Sequence, residues 1–274
     1  MSAAYEYREV LMQATGINLA YGSNIVLRDT NLIIRNLHRP GLTQGQILSI
    51  VGRSGAGKST LFRILAGLKA PDTGQVRVGI GGIEQPVKPG LVGVVAQSHP
   101  LLNHRTVIGN LLVAGKLAGH PNPGQRAEEL LARFGILEKA ASYASEISGG
   151  QRQRVAICQQ VMAGQQFILM DEPFSGLDVL AKDEACRLIA DVAAADELLT
   201  IIVVTHDIGA AVEVSDTLLL MGRERDQAGN PIPGANVRKA VNLAERGLAW
   251  RPGIAKTPEF AAVVAELRGD FEHL

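Results

Sequence analysis

A glycine-rich segment between an apolar run and a helical pattern constrains the fold of this 274-residue chain more than any other feature. The segment follows the pattern G-x-x-x-x-G-K-[ST] through Gly52, Arg53, Ser54, Gly55, Ala56, Gly57, Lys58, Ser59 and Thr60. Residues 47–51 before it predict a buried strand, and residues 58–68 predict a helix. Glycines let the backbone curl so that successive N–H groups point inward, and the helix N-terminus adds partial positive charge there. The segment therefore predicts a loop that binds an anionic group, such as the phosphates of a nucleotide.

Two side chains of this loop fit nucleotide chemistry. Lys58 can reach the β- and γ-phosphates, and the Ser59 hydroxyl can ligate Mg²⁺. The alternative is a glycine-rich turn that matches by chance, but the complete pattern and both flanking elements argue against it. By itself the loop indicates a P-loop nucleotide-binding protein and does not say which kind.

The rest of the chain has the pattern of an α/β fold. Short β-branched runs alternate with longer helical patterns, which is typical of a mostly parallel sheet. We predict further strands at residues 91–95, 167–170, 200–205 and 217–221, and helices at residues 126–134, 155–162, 179–194 and 258–271. Residues 11–20 and 26–34 alternate apolar and polar side chains, as half-exposed antiparallel strands do. The strand pattern is missing between Gln97 and Ser148, so a helical insertion is expected there.

Two adjacent acids end one of the predicted strands. Asp171 and Glu172 follow the apolar residues 167–170, and open α/β sheets bind ligands at the carboxyl ends of their strands. Asp171 is placed there to hold Mg²⁺, and Glu172 to polarise an attacking water as a general base. Considered alone, the pair is equally compatible with a solvated acidic turn.

Composition limits the partners and the compartment. Lys and Arg number 27, and Asp and Glu also 27, so the formal net charge is +0, which argues against a broad basic face for nucleic acid. Cys158 and Cys186 fall in predicted helices among aliphatic residues, so we expect buried, reduced thiols. Apolar runs of signal-peptide or bilayer-spanning length are missing, and another polypeptide would have to hold this chain at a membrane.

A third motif carries the resemblance to a known family. Residues 147–154 read Ile-Ser-Gly-Gly-Gln-Arg-Gln-Arg and precede a helical pattern. Ser148 can cap that helix while Gly149 and Gly150 leave its N–H groups uncovered, which makes a second anion site without a lysine. With Gln151 they resemble the signature motif of the ATP-binding-cassette (ABC) ATPases. The order of phosphate loop, Ser-Gly-Gly-Gln, Asp-Glu and a later histidine is similar to that family over roughly residues 10–222.

The resemblance assigns roles to residues between these motifs. Gln97, after the predicted strand at 91–95, resembles the glutamine that senses magnesium and couples to the partner, although a polar strand terminus is the plainer interpretation. Residues 175–178, Ser-Gly-Leu-Asp, resemble the loop that crosses the dimer interface. Asp178 could also be an ordinary helix cap.

Two further residues resemble contacts to the nucleotide. His206 is similar to the switch histidine that contacts the γ-phosphate, and Tyr21 to the aromatic that stacks on adenine. A lone histidine at a strand end, or a tyrosine before a turn glycine, is otherwise usually structural. The resemblance implies ATP and Mg²⁺ as ligands, with catalytic roles for Lys58, Glu172 and His206 and metal contacts from Ser59, Gln97 and Asp171.

The resemblance also implies an architecture, a P-loop NTPase domain of ABC type with a mixed sheet core, an antiparallel β subdomain and a helical insertion. The ATPase domain is expected at residues 10–222, with the insertion at about 98–150. Residues 223–274 are expected to form a C-terminal extension of loop plus helix, with a loop or hairpin at 223–234. Two departures from the family, a long connection at 36–46 containing His-Arg-Pro and Gln46 where glutamate is frequent, lie outside the expected nucleotide contacts.

In this family two cassettes work as a head-to-tail pair, so we expect a homodimer in which ATP on one Lys58 loop is covered by Ser148 and Gly150 of the other copy. A cassette without a transmembrane segment implies separate transmembrane permease subunits and a probable extracytoplasmic substrate-binding protein. The cassette itself is then expected at the cytoplasmic side of the (inner) cell membrane, as a peripheral subunit. Residues 100–107 and the tail 249–271 are similar to bacterial importers of the nitrate, sulfonate and taurine group.

Two other functions are compatible with a cassette. The first is a soluble ABC ATPase that acts on nucleic acid or ribosomes. Only about 90 residues separate the phosphate loop from the signature, too few for the long coiled coils of the DNA-repair members, and the translation-associated members usually carry two cassettes. The second is a binding or regulatory protein, against which Glu172 and His206 argue because they imply turnover.

Overall fold

The strands of the chain form one mixed ten-stranded sheet in a computed structural model that describes residues 5–38 and 44–273. The strands are β1 (Glu6–Tyr21), β2 (Asn24–His38), β3 (Gln46–Gly52), β4 (Thr73–Ile80), β5 (Ile83–Pro86), β6 (Gly93–Val95), β7 (Phe167–Asp171), β8 (Thr200–Thr205), β9 (Thr217–Arg225) and β10 (Pro231–Asn242). The helices are α1 (Lys58–Leu65), α2 (Val107–Leu117), α3 (Pro123–Arg133), α4 (Gly149–Met162), α5 (Val179–Ala193), α6 (Ile208–Val214) and α7 (Pro258–His273). Across the sheet the strand order is β5-β4-β1-β2-β10-β9-β3-β8-β7-β6.

The parallel strands form the buried part of the sheet. β3 pairs in parallel with β8 and β9, β8 with β7, and β7 with β6. Every residue of β3 and β8 is buried, as expected for strands covered by helices on both faces. Alternate residues of β8 enter different cores: Ile201 packs in the cluster with α4 and α5, and Ile202 in the cluster with α1. This confirms the α/β fold expected from the sequence.

The antiparallel part of the sheet is built around β1. This strand pairs with β2 on one side, from Glu6 opposite His38 to Tyr21 opposite Asn24, and with β4 on the other. Buried and exposed residues alternate along the middle of β2, because one face covers the core that contains α1. The two half-exposed strands are confirmed, whereas β4 and β5 were not predicted.

Helices fill the interval between Gln97 and Ser148, as predicted. Strand pairing within this interval is limited to the isolated bridge between Thr106 and Tyr143. Asn110 is fully buried and ties the start of this insertion together. Its Nδ2 donates to the carbonyls of Thr106 at 2.9 Å and Leu102 at 3.2 Å, and its Oδ1 accepts from Leu102 N at 2.8 Å.

Residues 223–234, expected as a loop or hairpin, contain the turn of a hairpin between β9 and β10, and the strand that continues beyond them was not predicted. Residues 231–242 form β10, which pairs antiparallel with β9 and contacts β2 in parallel at Ala235 opposite Leu27. Two prolines and a glycine near its start, at 231–234, hid the strand pattern. Gly234 (φ 93°) lies so close to β2 that a Cβ there would stand 2.6 Å from Arg28 Cβ. A division of the chain at residue 222 stays a prediction.

Other expectations have simpler outcomes. Cys158 and Cys186 are free and buried, as predicted. Within the segments that the structure describes, none of the helices combines the length and the apolar character that crossing a bilayer requires. The long connection noted at 36–46 is described only in part, since residues 39–43 lie outside the described residues.

A cluster of ion pairs docks α7 against β10. Lys239 contacts Glu266 at 3.2 Å and Asp270 at 2.7 Å, and Arg246 contacts Glu266 at 2.7 Å. Hydrogen bonds from Arg246 and Lys239 lower the pKa of Glu266 from 4.5 to about 2. Because the folded-state pKa is the lower one, the stabilisation is complete above pH 4.5 and is lost as the pH falls through about 2.

We expect Glu266→Gln to lower the melting temperature at pH 7. The loss corresponds to about 1 kcal/mol or less, because the pairs are largely exposed to solvent. The difference from the unmodified chain is expected to shrink as the pH is lowered from 4.5 towards 2. Circular-dichroism melts across that range measure it, with Glu128→Gln at an exposed position as the control. A difference that does not change with pH would contradict this account of the cluster.

Candidate functional site

The carboxyl ends of three neighbouring parallel strands bring the predicted site residues to one edge of the sheet. β8 lies between β3 and β7. Val51 is opposite Thr205, and Asp171 is opposite Val204. The phosphate loop after β3, the acids at the end of β7 and His206 after β8 therefore emerge side by side.

The phosphate loop adopts a conformation that needs its glycines. Gly57 caps the N-terminus of α1 with φ 74°, and Gly55 has φ 81°. A Cβ at Gly57 would lie 3.0 Å from Leu27 Cδ2 and 3.1 Å from Val26 Cγ1. The loop is closed by a hydrogen bond from Ala56 N to Arg53 O at 3.0 Å. Its surface is accessible at Arg53, Ser54, Gly55 and Ser59, whereas Gly52 is buried and Thr60 is half-buried.

Lys58 lies at the centre of the site and is only 6% exposed. Its Nζ donates to Gly52 O at 2.8 Å and to Arg53 O at 3.2 Å, and stands 3.7 Å from Glu172 Oε1. Burial lowers the pKa of Lys58, and the carboxylates of Glu172 and Asp171 oppose that change. The ammonium group is thus held beside the loop by two carbonyls and a carboxylate.

Asp171 and Glu172 have different surroundings. Asp171 Oδ1 is buried and has no hydrogen-bond partner among the described residues. Burial raises the pKa of Asp171 and the nearby Glu172 adds to the rise, while Arg63, Lys58 and the Ser59 hydroxyl oppose it. Glu172 has φ 48°, a conformation that is uncommon outside glycine, and its N–H donates to Val204 O at 2.7 Å.

His206 contacts the carboxylate of Glu172 directly. His206 Nδ1 lies 2.9 Å from Glu172 Oε2, and the backbone N–H of His206 donates to the same oxygen at 3.3 Å. The imidazole remains accessible from outside, with 55% of the side chain exposed. One carboxylate oxygen therefore faces Lys58 and the other faces His206.

Gln97 also reaches this end of the sheet. Its Nε2 donates to Ser175 Oγ at 3.3 Å, and Ser175 N donates to Glu172 O at 3.1 Å. The glutamine is therefore linked to the turn that carries Glu172. Asp178, at the end of the same segment, caps α5 by accepting from Ala181 N at 2.9 Å.

The Ser-Gly-Gly-Gln motif forms a capped helix start. Gln151 N donates to Ser148 Oγ at 3.3 Å, and Ser148 N donates to Gln151 Oε1 at 2.9 Å, which is a reciprocal capping box. Ser148, Gly149 and Gly150 are exposed. The cavity bordered by Ser148 and Gly150 shares no lining residue with the cavity beside the phosphate loop. Within one chain, the motif and the loop lie in separate cavities.

Tyr21 ends β1 at the turn before β2, and its ring is about half exposed. Lys69 Nζ stands 5.0 Å from the ring centroid, at the distance of a cation–π contact. The strand after this turn carries Val26, whose carbonyl lies 3.1 Å from the Cβ position of Gly57. The Tyr21 turn is therefore next to the loop in the fold, and its contact with adenine stays a prediction.

Sequence reasoning missed Gln153. This residue of α4 is only 3% exposed, and its Nε2 donates to Pro173 O at 3.1 Å. Pro173 follows Glu172 in the chain. The signal was a glutamine four residues before the buried Ile157, on the apolar face of the helix.

Known proteins are similar to this chain over most of its length. A family model described as ABC transporter matches residues 39–175. The aliphatic sulfonates import ATP-binding protein SsuB of Rhodopseudomonas palustris (strain BisA53) is 35% identical over 246 residues, which cover 89% of this chain and 83% of that protein.

Two solved structures share the fold. One is cbiO1 from Clostridium perfringens, part of the ABC transporter complex cbiONQ, with a TM-score of 0.68 and 22% identity over 88% of this chain and 91% of that one. The other is a dimeric ATP-binding cassette in a post-hydrolysis state, bound to ADP and Pi. Its TM-score is 0.64 at 23% identity, and the alignment covers 85% of this chain and 99% of that one.

Proposed function

Because the chain belongs to the ABC transporter family of ATPases, we propose that it is the ATP-hydrolysing subunit that powers a bacterial importer of small molecules. The observation that supports hydrolysis most strongly is the contact of Glu172 with both Lys58 and His206. These contacts lie at the sheet edge from which the phosphate loop emerges. A carboxylate in that place can accept the proton of an attacking water. Lys58 and His206 supply positive or hydrogen-bonding groups for the γ-phosphate.

The residues beside the loop fit a magnesium ion. A buried carboxylate oxygen without a donor, such as Asp171 Oδ1, is unfavourable unless a cation meets it. We propose that Asp171, Ser59 and Gln97 hold Mg²⁺, which when bound neutralises charge on the β- and γ-phosphates. The other loop residues, from Gly52 to Thr60, are proposed to bind the phosphates through their N–H groups, and Tyr21 to stack on adenine.

We propose that the working form is a head-to-tail homodimer. The start of α4, with Ser148, Gly149 and Gly150 exposed and Gln151 half-buried, has the form of an anion site and lies apart from the loop of its own chain. A second copy would bring that site, together with Asp178, over the nucleotide. The dimeric solved cassette with ADP and Pi supports this arrangement.

We further propose that the dimer works at the cytoplasmic side of the inner membrane with permease subunits and an extracytoplasmic substrate-binding protein. A shallow groove between α2 and α4 is lined by Val113, Ala114, Leu117 and Gln159, and Leu117 is 85% exposed. A leucine this exposed beside a groove would be more stable in contact with an apolar segment of a partner protein than in contact with water. The sulfonate relative supports substrates of the nitrate, sulfonate and taurine class, and the neutral charge balance supports partners other than nucleic acid.

Leu117→Glu is expected to abolish co-purification of the permease subunits from detergent-solubilised membranes, because it places a charge on the docking surface. The ATPase activity of the purified chain without permease should stay unchanged. Leu198→Glu, at another exposed leucine, is the matched control and should leave co-purification intact. Recovery of the membrane partner with the Leu117 variant would show that the groove is not the docking site.

The function itself is tested with the complex of chain and permease in vesicles. We expect ATP hydrolysis to rise when a binding protein loaded with an alkanesulfonate is added. A chain that purifies without a membrane partner, and whose ATPase activity responds to nucleic acid or ribosomes, would support the soluble function instead.

A further inference from the structure

A buried side chain of α4 contacts the turn that carries the proposed catalytic base. Gln153 Nε2 donates to Pro173 O at 3.1 Å, inside the core and away from solvent. Pro173 has no N–H, so its carbonyl is the one hydrogen-bonding group that its backbone offers. Without Gln153 that bond to the carbonyl would be lost in a place that water does not reach.

Several contacts hold the turn after β7. Glu172 has φ 48°, and such a conformation persists only where the surroundings hold it. Its N–H donates to Val204 O at 2.7 Å, and its carbonyl accepts from Ser175 N at 3.1 Å. Gln153 bonds this turn to α4, and the buried Phe174 packs in the core cluster that also contains residues of the helical insertion.

The N-terminal end of the same helix, proposed above as an anion site, is exposed and lies close to Gln153. Ser148 caps α4, and Gln153 follows five residues later on a continuous helix of 14 residues. One continuous run of helical hydrogen bonds joins these two positions. A shift of the capped end on contact with phosphate therefore reaches Pro173, one residue from Glu172.

We propose that Gln153 is a positioning residue that couples the two nucleotide sites of the dimer. This inference rests on the proposed function, in which α4 of one copy covers the ATP of its partner while Glu172 acts on the ATP of its own copy. Engagement of α4 by the partner's ATP sets the position of Pro173 and thereby of the Glu172 carboxylate. Hydrolysis at one site thus depends on occupancy of the other.

Mixed dimers of two differently tagged full-length copies test the proposal. In the first arrangement one copy carries Gln153→Met and the other carries Glu172→Gln, so the only intact base shares a chain with the altered glutamine. In the second arrangement one copy carries both changes and the other is unmodified. Both dimers contain the same substitutions, so any loss of folding or assembly affects them equally.

We expect the first arrangement to hydrolyse ATP about ten-fold more slowly than the second, the effect of one lost buried hydrogen bond. Their ATP affinities should be equal, because Gln153 lies at the turn and not at the nucleotide. Gln46→Met is the matched control at another buried glutamine. Its amide donates to Thr200 Oγ1 at 3.3 Å, at the opposite end of β3 from the phosphate loop, and the two arrangements built with it should not differ.

Equal rates in the two Gln153 arrangements, or a slower rate in the second, would overturn the proposal. A slower rate in the second arrangement would mean that Gln153 acts only on the start of α4 that contacts the partner's ATP. Failure of the proposed function is recognised separately, because the unmodified dimer would then show no ATP hydrolysis at all.

Discussion

Glu172→Gln is expected to bind ATP as well as the unmodified chain and to hydrolyse it about 10²- to 10⁴-fold more slowly, the usual contribution of a general base. The amide keeps the size of the carboxylate, so the turn after β7 and its bond from Glu172 N to Val204 O should persist. What is lost is the proton acceptor. The charge that stands 3.7 Å from Lys58 and 2.9 Å from His206 is lost with it.

Single-turnover hydrolysis and equilibrium ATP binding separate these effects. Glu84→Gln is a matched control, because Glu84 is an exposed carboxylate on β5 that pairs with Arg77, far along the sheet order from β7. Glu84→Gln should change neither the rate of hydrolysis nor the affinity for ATP. Turnover by the Glu172 variant within a few-fold of the unmodified chain would show that Glu172 is not the general base.

Lys58→Ala is expected to weaken ATP binding by about 10- to 100-fold, which corresponds to the loss of one charged hydrogen-bond donor worth about 1.5–3 kcal/mol. Hydrolysis should fall further, because Lys58 also neutralises charge that develops on the γ-phosphate. Both losses follow from the position of the ammonium group between the loop carbonyls and Glu172.

Thermal melts distinguish a lost ligand contact from a damaged fold. Lys58 is buried and donates to two loop carbonyls, so its removal is expected to lower the melting temperature of the nucleotide-free chain. The variant should keep a cooperative melt, yet it should lose the rise in melting temperature that ATP produces. Lys116→Ala, at an exposed position on α2, serves as the control. A Lys58 variant still stabilised by ATP to the usual extent would contradict the assigned role.

The sequence predicted which residues would lie together at one sheet edge, because each of them follows a strand that pairs in parallel. Lys58, Glu172 and His206 are far apart in the chain, yet each follows an apolar run whose carboxyl end meets the same sheet edge. Gly55 and Gly57 predicted positive φ angles, which other residues rarely adopt, at these two positions. Local pattern and fold topology were sufficient for these positions.

Other features depended on contacts that no local pattern records. β10 carries prolines and charged residues, and it is a strand because β9 and β2 flank it. The positive φ of Glu172 is held by Val204 on the next strand. Gln153 became relevant only when its partner, Pro173 on another element, was known.

Calorimetric titration of ATP into the purified chain, with and without Mg²⁺, tests the central claim most directly. We expect saturable binding in the range of about 1 μM to 1 mM, typical of enzyme substrates, and tighter binding when Mg²⁺ is present. Absence of binding at millimolar ATP with Mg²⁺ would contradict the assignment of residues 52–60 as a phosphate loop.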